Sequence, residues 1–135
     1  MQYGDLTALE KKFKENPNIV AYMAEPIQGE AGVVIPPEGY IAGVSKLCKK
    51  YNVLFICDEV QTGLGRTGKM MCYEWSGIKP DMITVGKALS GGLMPISGVL
   101  TSSKIMDVIQ PGDHGSTYGG SAIACATAKA AIEVI

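Results

Sequence analysis

Apolar positions along the chain change their period several times, and each change marks an element. Between Asp5 and Glu15, Leu6, Leu9 and Phe13 recur among lysines and glutamates. That spacing predicts an amphipathic helix with one apolar stripe. Asp5 stands where a capping side chain is wanted, and Asn16-Pro17-Asn18 stops the helix. Ile19 to Glu25 is then apolar at both odd and even positions, the pattern of an interior strand in a parallel sheet. Pro26 to Pro37 is rich in Gly and Pro and predicts a loop.

The pattern returns to helical spacing over Tyr40–Tyr51, with Val44, Leu47 and Cys48 inward and Lys46, Lys49 and Lys50 outward. Val53–Asp58 predicts a second buried strand, and Met82–Val85 a third. Ile96–Thr101 predicts a fourth, too close behind the third for a helical crossover and therefore antiparallel to it. Ser103–Ile109 predicts a short helix and Pro111–Gly120 a polar loop. Ser121–Ile135 predicts a helix with Ile123, Ala126, Ala130 and Val134 at helical spacing. Strands alternating with helices predict an α/β fold, its sheet mostly parallel with one antiparallel strand. The last helix shows no Gly or Asn cap and no following Pro, so the sequence reads as part of a longer protein.

Composition narrows the function classes. The 135 residues are 47% apolar with net charge −1, enough for one packed domain and too little charge asymmetry to suggest nucleic acid or an anionic membrane. No apolar run approaches the roughly 18–20 residues that span a bilayer. Met1 to Asp5 has neither the basic nor the apolar region of a signal peptide. Cys48, Cys57, Cys72 and Cys125 are scattered without a C-x-x-C pair, so free thiols in a reducing compartment are expected, with no metal.

The candidate chemistry gathers at strand ends. Glu25, Asp58 and Lys87 each close or follow an apolar run, and in open α/β sheets that edge binds ligands. A lysine before Ser90-Gly91-Gly92, with an aspartate on a neighbouring strand end, suits a Schiff-base lysine and a partner for a pyridinium nitrogen. Two other motifs compete in Gly63-Leu64-Gly65-Arg66-Thr67-Gly68-Lys69. As a dinucleotide fingerprint it fails because Glu59 to Thr62 separate it from the strand. As a P-loop it lacks the hydroxyl after lysine, where Met70 stands. Those glycines read as a tight turn. His114 reads as a loop histidine. Ser116 to Gly120 precedes a helix and offers either ordinary capping or anion contacts.

Taken in order, Asp58 to Gly68, Pro80-Asp81, Gly86 to Gly92 and Pro95 resemble the signature of class III aminotransferases. Glu25 to Glu30 and His114 to Gly120 extend the resemblance over almost the whole chain. It implies the large, cofactor-binding domain of the type I pyridoxal-phosphate fold, covered in part by residues 1–135, with an N-terminal part and a C-terminal small domain beyond them. It also implies roles. Lys87 would carry pyridoxal phosphate, Asp58 would pair with the ring nitrogen, Gln61 would bond the ring hydroxyl, and Val60 would pack on a ring face. Ser116 and Thr117 would reach the cofactor phosphate of a partner subunit. Glu30 would set substrate choice by pairing with an arginine of the small domain.

The resemblance is strongest to the ornithine-specific branch, with the acetylornithine branch sharing much of it. The substrates implied are an amino acid and a 2-oxo acid. The assembly implied is a homodimer or higher oligomer, in mitochondrial matrix or cytoplasm. Alone, the 135 residues are expected to be inactive, a folding or dimerising remnant. Where the family has Asn-Pro after the glycine pair, this chain has Ser121-Ala122, which bears on how the last helix starts.

Overall fold

The computed structural model describes residues 1–135. Helix α1 spans Leu6–Glu15, with the Asp5 side chain accepting from the Ala8 amide at 2.9 Å. Strand β1 is Ala21–Ala24, helix α2 Tyr40–Tyr51, strand β2 Leu54–Asp58, strand β3 Met82–Val85 and strand β4 Gly98–Thr101. Helix α3 covers only Ser103–Met106, and helix α4 covers Ala122–Val134. Two 3-10 turns, Cys72–Ser76 and Lys87–Ser90, had no periodic signal in the sequence. They are too short to develop a period.

The sheet order is β1-β2-β3-β4, parallel through β3 and antiparallel at β4. The α/β expectation and the antiparallel fourth strand are therefore borne out. Strand β1 is the outermost of the four strands that this chain supplies, with Met23 50% exposed. Its apolar residues reflect a strand whose faces are covered unequally. Helices α1 and α2 pack on one side, where Leu9, Phe13, Val44, Cys48, Phe55 and Cys57 form the main core. On the other side Met23, Thr84 and Val99, with Ile105 and Ile109, line a cleft of about 850 Å³. Strand β2 divides its residues accordingly: Phe55 and Cys57 are buried, while Leu54, Ile56 and Asp58 are not.

Helix α4 forms where its spacing predicts it. Ala124 and Ala128 are its buried residues, and Ile123 is exposed. The helix packs against the turn that begins at Lys87. Small side chains permit the close approach: a methyl on Gly91 would lie 3.5 Å from the Ala131 Cβ. Ser121 occupies the N-cap position without a side-chain capping bond.

All four cysteines are free, as expected, and Cys48, Cys57 and Cys72 are buried while Cys125 is exposed. Burial pushes the Cys48 thiol up to about 11, and burial likewise raises Cys57 and Cys72. Only about one Cys48 in a thousand is then thiolate at pH 8, and thiolate is the reactive form. Under native conditions a thiol reagent should modify Cys125 within minutes and leave the other three intact until denaturant is added. Rapid native labelling of Cys48, read by peptide mass, would contradict this packing.

Candidate active site

The site is organised where β2 and β3 end together. The register pairs Asp58 with Thr84. The Asp58 carboxylate accepts from the Val60 amide and the Thr84 hydroxyl, both at 3.0 Å and both at Oδ1. Oδ2 has no protein donor, and Asp58 lines the open cleft together with Val60, Ser97, His114 and Ser116.

Glu59 points the opposite way. It is 1% exposed. A buried carboxylate is costly unless its oxygens are satisfied. Here Thr62 Oγ1 donates at 2.6 Å, Cys72 N at 3.0 Å and Tyr73 N at 2.8 Å. These donors come from both ends of the glycine-rich loop, so one side chain closes the loop onto the sheet. Gly63 is required in that closure, because a Cβ there would stand 2.8 Å from the Glu59 carbonyl oxygen. The glycine run is thus a tight turn, as read. The only signal for Glu59 was a carboxylate placed one step out of phase with Asp58.

Lys87 begins its 3-10 turn with φ +44°, the left-handed region that an L residue seldom enters without strain. Buried Ser90 braces the turn: its Oγ donates to the Lys87 carbonyl at 3.4 Å and accepts from the Gly92 amide at 3.2 Å. The Lys87 ammonium is half-exposed and lies 3.7 Å from Glu30 Oε1. The same oxygen accepts from Gln61 Nε2 at 3.0 Å. Gln61 reaches it across Gly29, where any Cβ would come 2.5 Å from the Gln61 amide carbon. Glu25 serves this loop as well, its carboxylate accepting from the Gly29 amide at 2.8 Å.

Lys87 lines two further clefts. One, about 640 Å³, is shared with Val60, Gln61 and Arg66. The other, about 620 Å³, is shared with Ser97, Ser116, Gly119 and Cys125. Val60, Ser97 and Ser116 therefore stand between the Lys87 and Asp58 clefts. The structure brings together Lys87, Gln61 and Glu30 by contact, and Asp58, Val60 and Ser116 by shared walls. Thr117 is exposed and lines none of these clefts; Ser116 Oγ accepts from the Gly119 amide at 2.9 Å. Thr84 escaped the sequence reading because a threonine inside a strand carries no motif.

The model of the family described as Aminotransferase class-III matches residues 3–135. The chain belongs to the class-III aminotransferase family. It is 56% identical over 133 residues to ornithine aminotransferase of Plasmodium falciparum (isolate CDC / Honduras), covering 98% of this chain and 32% of that protein. A solved acetylornithine aminotransferase from Elizabethkingia anophelis superposes with TM-score 0.96 at 54% identity, over 99% of this chain and 34% of that one. An ornithine aminotransferase from Toxoplasma gondii superposes with TM-score 0.96 at 47% identity, over 99% and 31%, and is described with partial occupancy of PLP at its active site. This class-III chain thus spans about a third of the length of these relatives.

In this class-III scaffold, replacing Glu59 with Gln puts an amide group where three donors converge. Each unmet buried hydrogen bond costs about 1–3 kcal/mol. Denaturant unfolding of Glu59→Gln should show a loss of about 2–4 kcal/mol, while Glu74→Gln on the same loop loses less than about 1 kcal/mol. Equal losses in the two variants would remove the special role of Glu59.

Proposed function

We propose that the full-length protein is a pyridoxal-phosphate-dependent aminotransferase that takes the δ-amino group of ornithine and passes it to a 2-oxo acid. The carrying observation is the placement of the Lys87 amine and the unpaired Asp58 Oδ2 on clefts that share Val60, Ser97 and Ser116 as walls. The donor set fits the cofactor. It offers an amine for an aldehyde, a carboxylate oxygen for a protonated ring nitrogen, an apolar valine between them, and a serine hydroxyl nearby. When bound, pyridoxal phosphate supplies an aldehyde that takes up amino groups and a ring that accepts an electron pair.

Lys87 would hold the cofactor through its amine, and that amine, when free, would serve as the site's proton carrier. Lys87 must first leave Glu30. Their contact is long and solvated, and such pairs are worth only about 0–1 kcal/mol, so it does not lock the lysine. Asp58 Oδ2 keeps the ring nitrogen protonated, and the paired charges avoid the penalty of an isolated one. Val60 would pack against the cofactor ring and Gln61 would bond its hydroxyl. Ser116 and Thr117 serve the phosphate held by a second subunit of a homodimer. Glu30, once free of Lys87, is available to an arginine elsewhere in the protein and so gates the approach of α-carboxylates. A second reading, with N-acetylornithine as donor, is favoured by the equally close likeness to the acetylornithine aminotransferase.

The following measurements test this function. Borohydride reduction of the full-length protein with pyridoxal phosphate should leave the added mass on the peptide containing Lys87; mass on Lys79 or Lys104 contradicts the assignment. Lys87→Ala should lose roughly 10²–10⁴-fold in rate from proton transfer alone. Asp58→Asn should retain cofactor and slow the single-turnover proton transfer strongly, and an unchanged rate refutes its role. Glu30→Ala should shift the ratio of half-reaction rates from ornithine toward glutamate. A ratio steady within about twofold, under about 0.4 kcal/mol, means that Glu30 is not the gate. A wild-type preference for N-acetylornithine moves the substrate to the second reading.

A further inference from the structure

Thr84 touches the Asp58–Glu59 pair twice. Its hydroxyl donates to Asp58 Oδ1 at 3.0 Å, and its carbonyl accepts from the Glu59 amide at 3.0 Å. Thr84 and Asp58 are paired across β2 and β3 and line the same cleft. The second donor to Oδ1 is the Val60 amide, a main-chain group fixed by the loop that Glu59 closes. Two donors on one oxygen define the plane of the carboxylate. An aspartate carboxyl torsion is otherwise broad and roughly two-fold, so either oxygen can turn outward. A β-branched residue in a strand has a restricted χ1, which makes its hydroxyl a fixed reference.

We propose that Thr84 is a positioning residue for Asp58: its hydroxyl stops the carboxylate from rotating, so that Oδ2 alone is presented to the protonated ring nitrogen. The inference rests on the cofactor reading above and adds a residue to it. Thr84 would act through Asp58 and not by a contact of its own with the cofactor. Its removal acts by letting Asp58 turn, which blurs the orientation of the ring that Asp58 holds.

The test uses the full-length protein with Thr84→Val, which keeps shape and loses the hydroxyl, and Thr84→Ser, which keeps the hydroxyl. Apoprotein is titrated with pyridoxal phosphate. Cofactor affinity is read by absorbance, ring orientation by the induced circular dichroism of the bound cofactor, and folding by the melting temperature of the apoprotein. Thr84→Val should bind cofactor about tenfold more weakly with a diminished dichroic band, melt within about two degrees of wild type, and be restored by Thr84→Ser. If Thr84→Val keeps wild-type affinity and dichroism while Lys87 still takes the reduced label, Thr84 has no positioning role and the cofactor reading stands. If Thr84→Ser fails to restore what Thr84→Val loses, the loss comes from packing and the proposal is overturned. If wild-type Lys87 takes no label, the cofactor reading fails and the Thr84 role fails with it.

Discussion

The buried carboxylate of Glu59 is the constraint on which the site depends. It follows Asp58 directly, and successive side chains at a strand end leave on opposite sides. Fixing Glu59 inward therefore fixes Asp58 outward, onto the open face of the sheet. The fixing is strong because the alternative is expensive. A carboxylate in the interior needs its oxygens satisfied, and Thr62, Cys72 and Tyr73 do this together. Since those donors belong to the glycine-rich loop, the loop cannot drift while the carboxylate stays buried. Val60 and Gln61, which stand at the loop's start, inherit that rigidity.

The working groups themselves are held loosely. Lys87 and Glu30 meet at 3.7 Å in solvent, and Gln61 shares the same oxygen. This division suits the proposed chemistry, in which the lysine exchanges partners and the carboxylate does not. The strain at Lys87 fits the same picture. A left-handed lysine is sustained by the Ser90 brace and by the packing of α4 on its turn, so the amine is displayed by a rigid frame although its own contact is weak.

Much of this was legible in the sequence. Helix α2 has the predicted bounds, and β3 and β4 pair antiparallel because their connection leaves no room for a crossover. Lys87 and Asp58 stand at strand ends as their flanking apolar runs required. What stayed hidden was set by tertiary context. Apolar composition on both faces of β1 did not tell which face the helices of this chain cover. The packing face of α4 within this chain is set by alanines, whose small size matters more than their hydropathy. Little in the sequence marked Glu59 as buried, because two of its donors are backbone amides 13 and 14 residues away. Thr84 acquires its meaning only from the register that sets it beside Asp58.

Native-state hydrogen exchange of the Cys72 and Tyr73 amides tests the central claim most directly, because these are the two main-chain donors to Glu59. In the full-length protein both amides should exchange as slowly as those of β2, opening only with the strand itself. Exchange at the rate of an open loop, while the β2 amides remain protected, would show that the carboxylate does not hold the loop to the sheet.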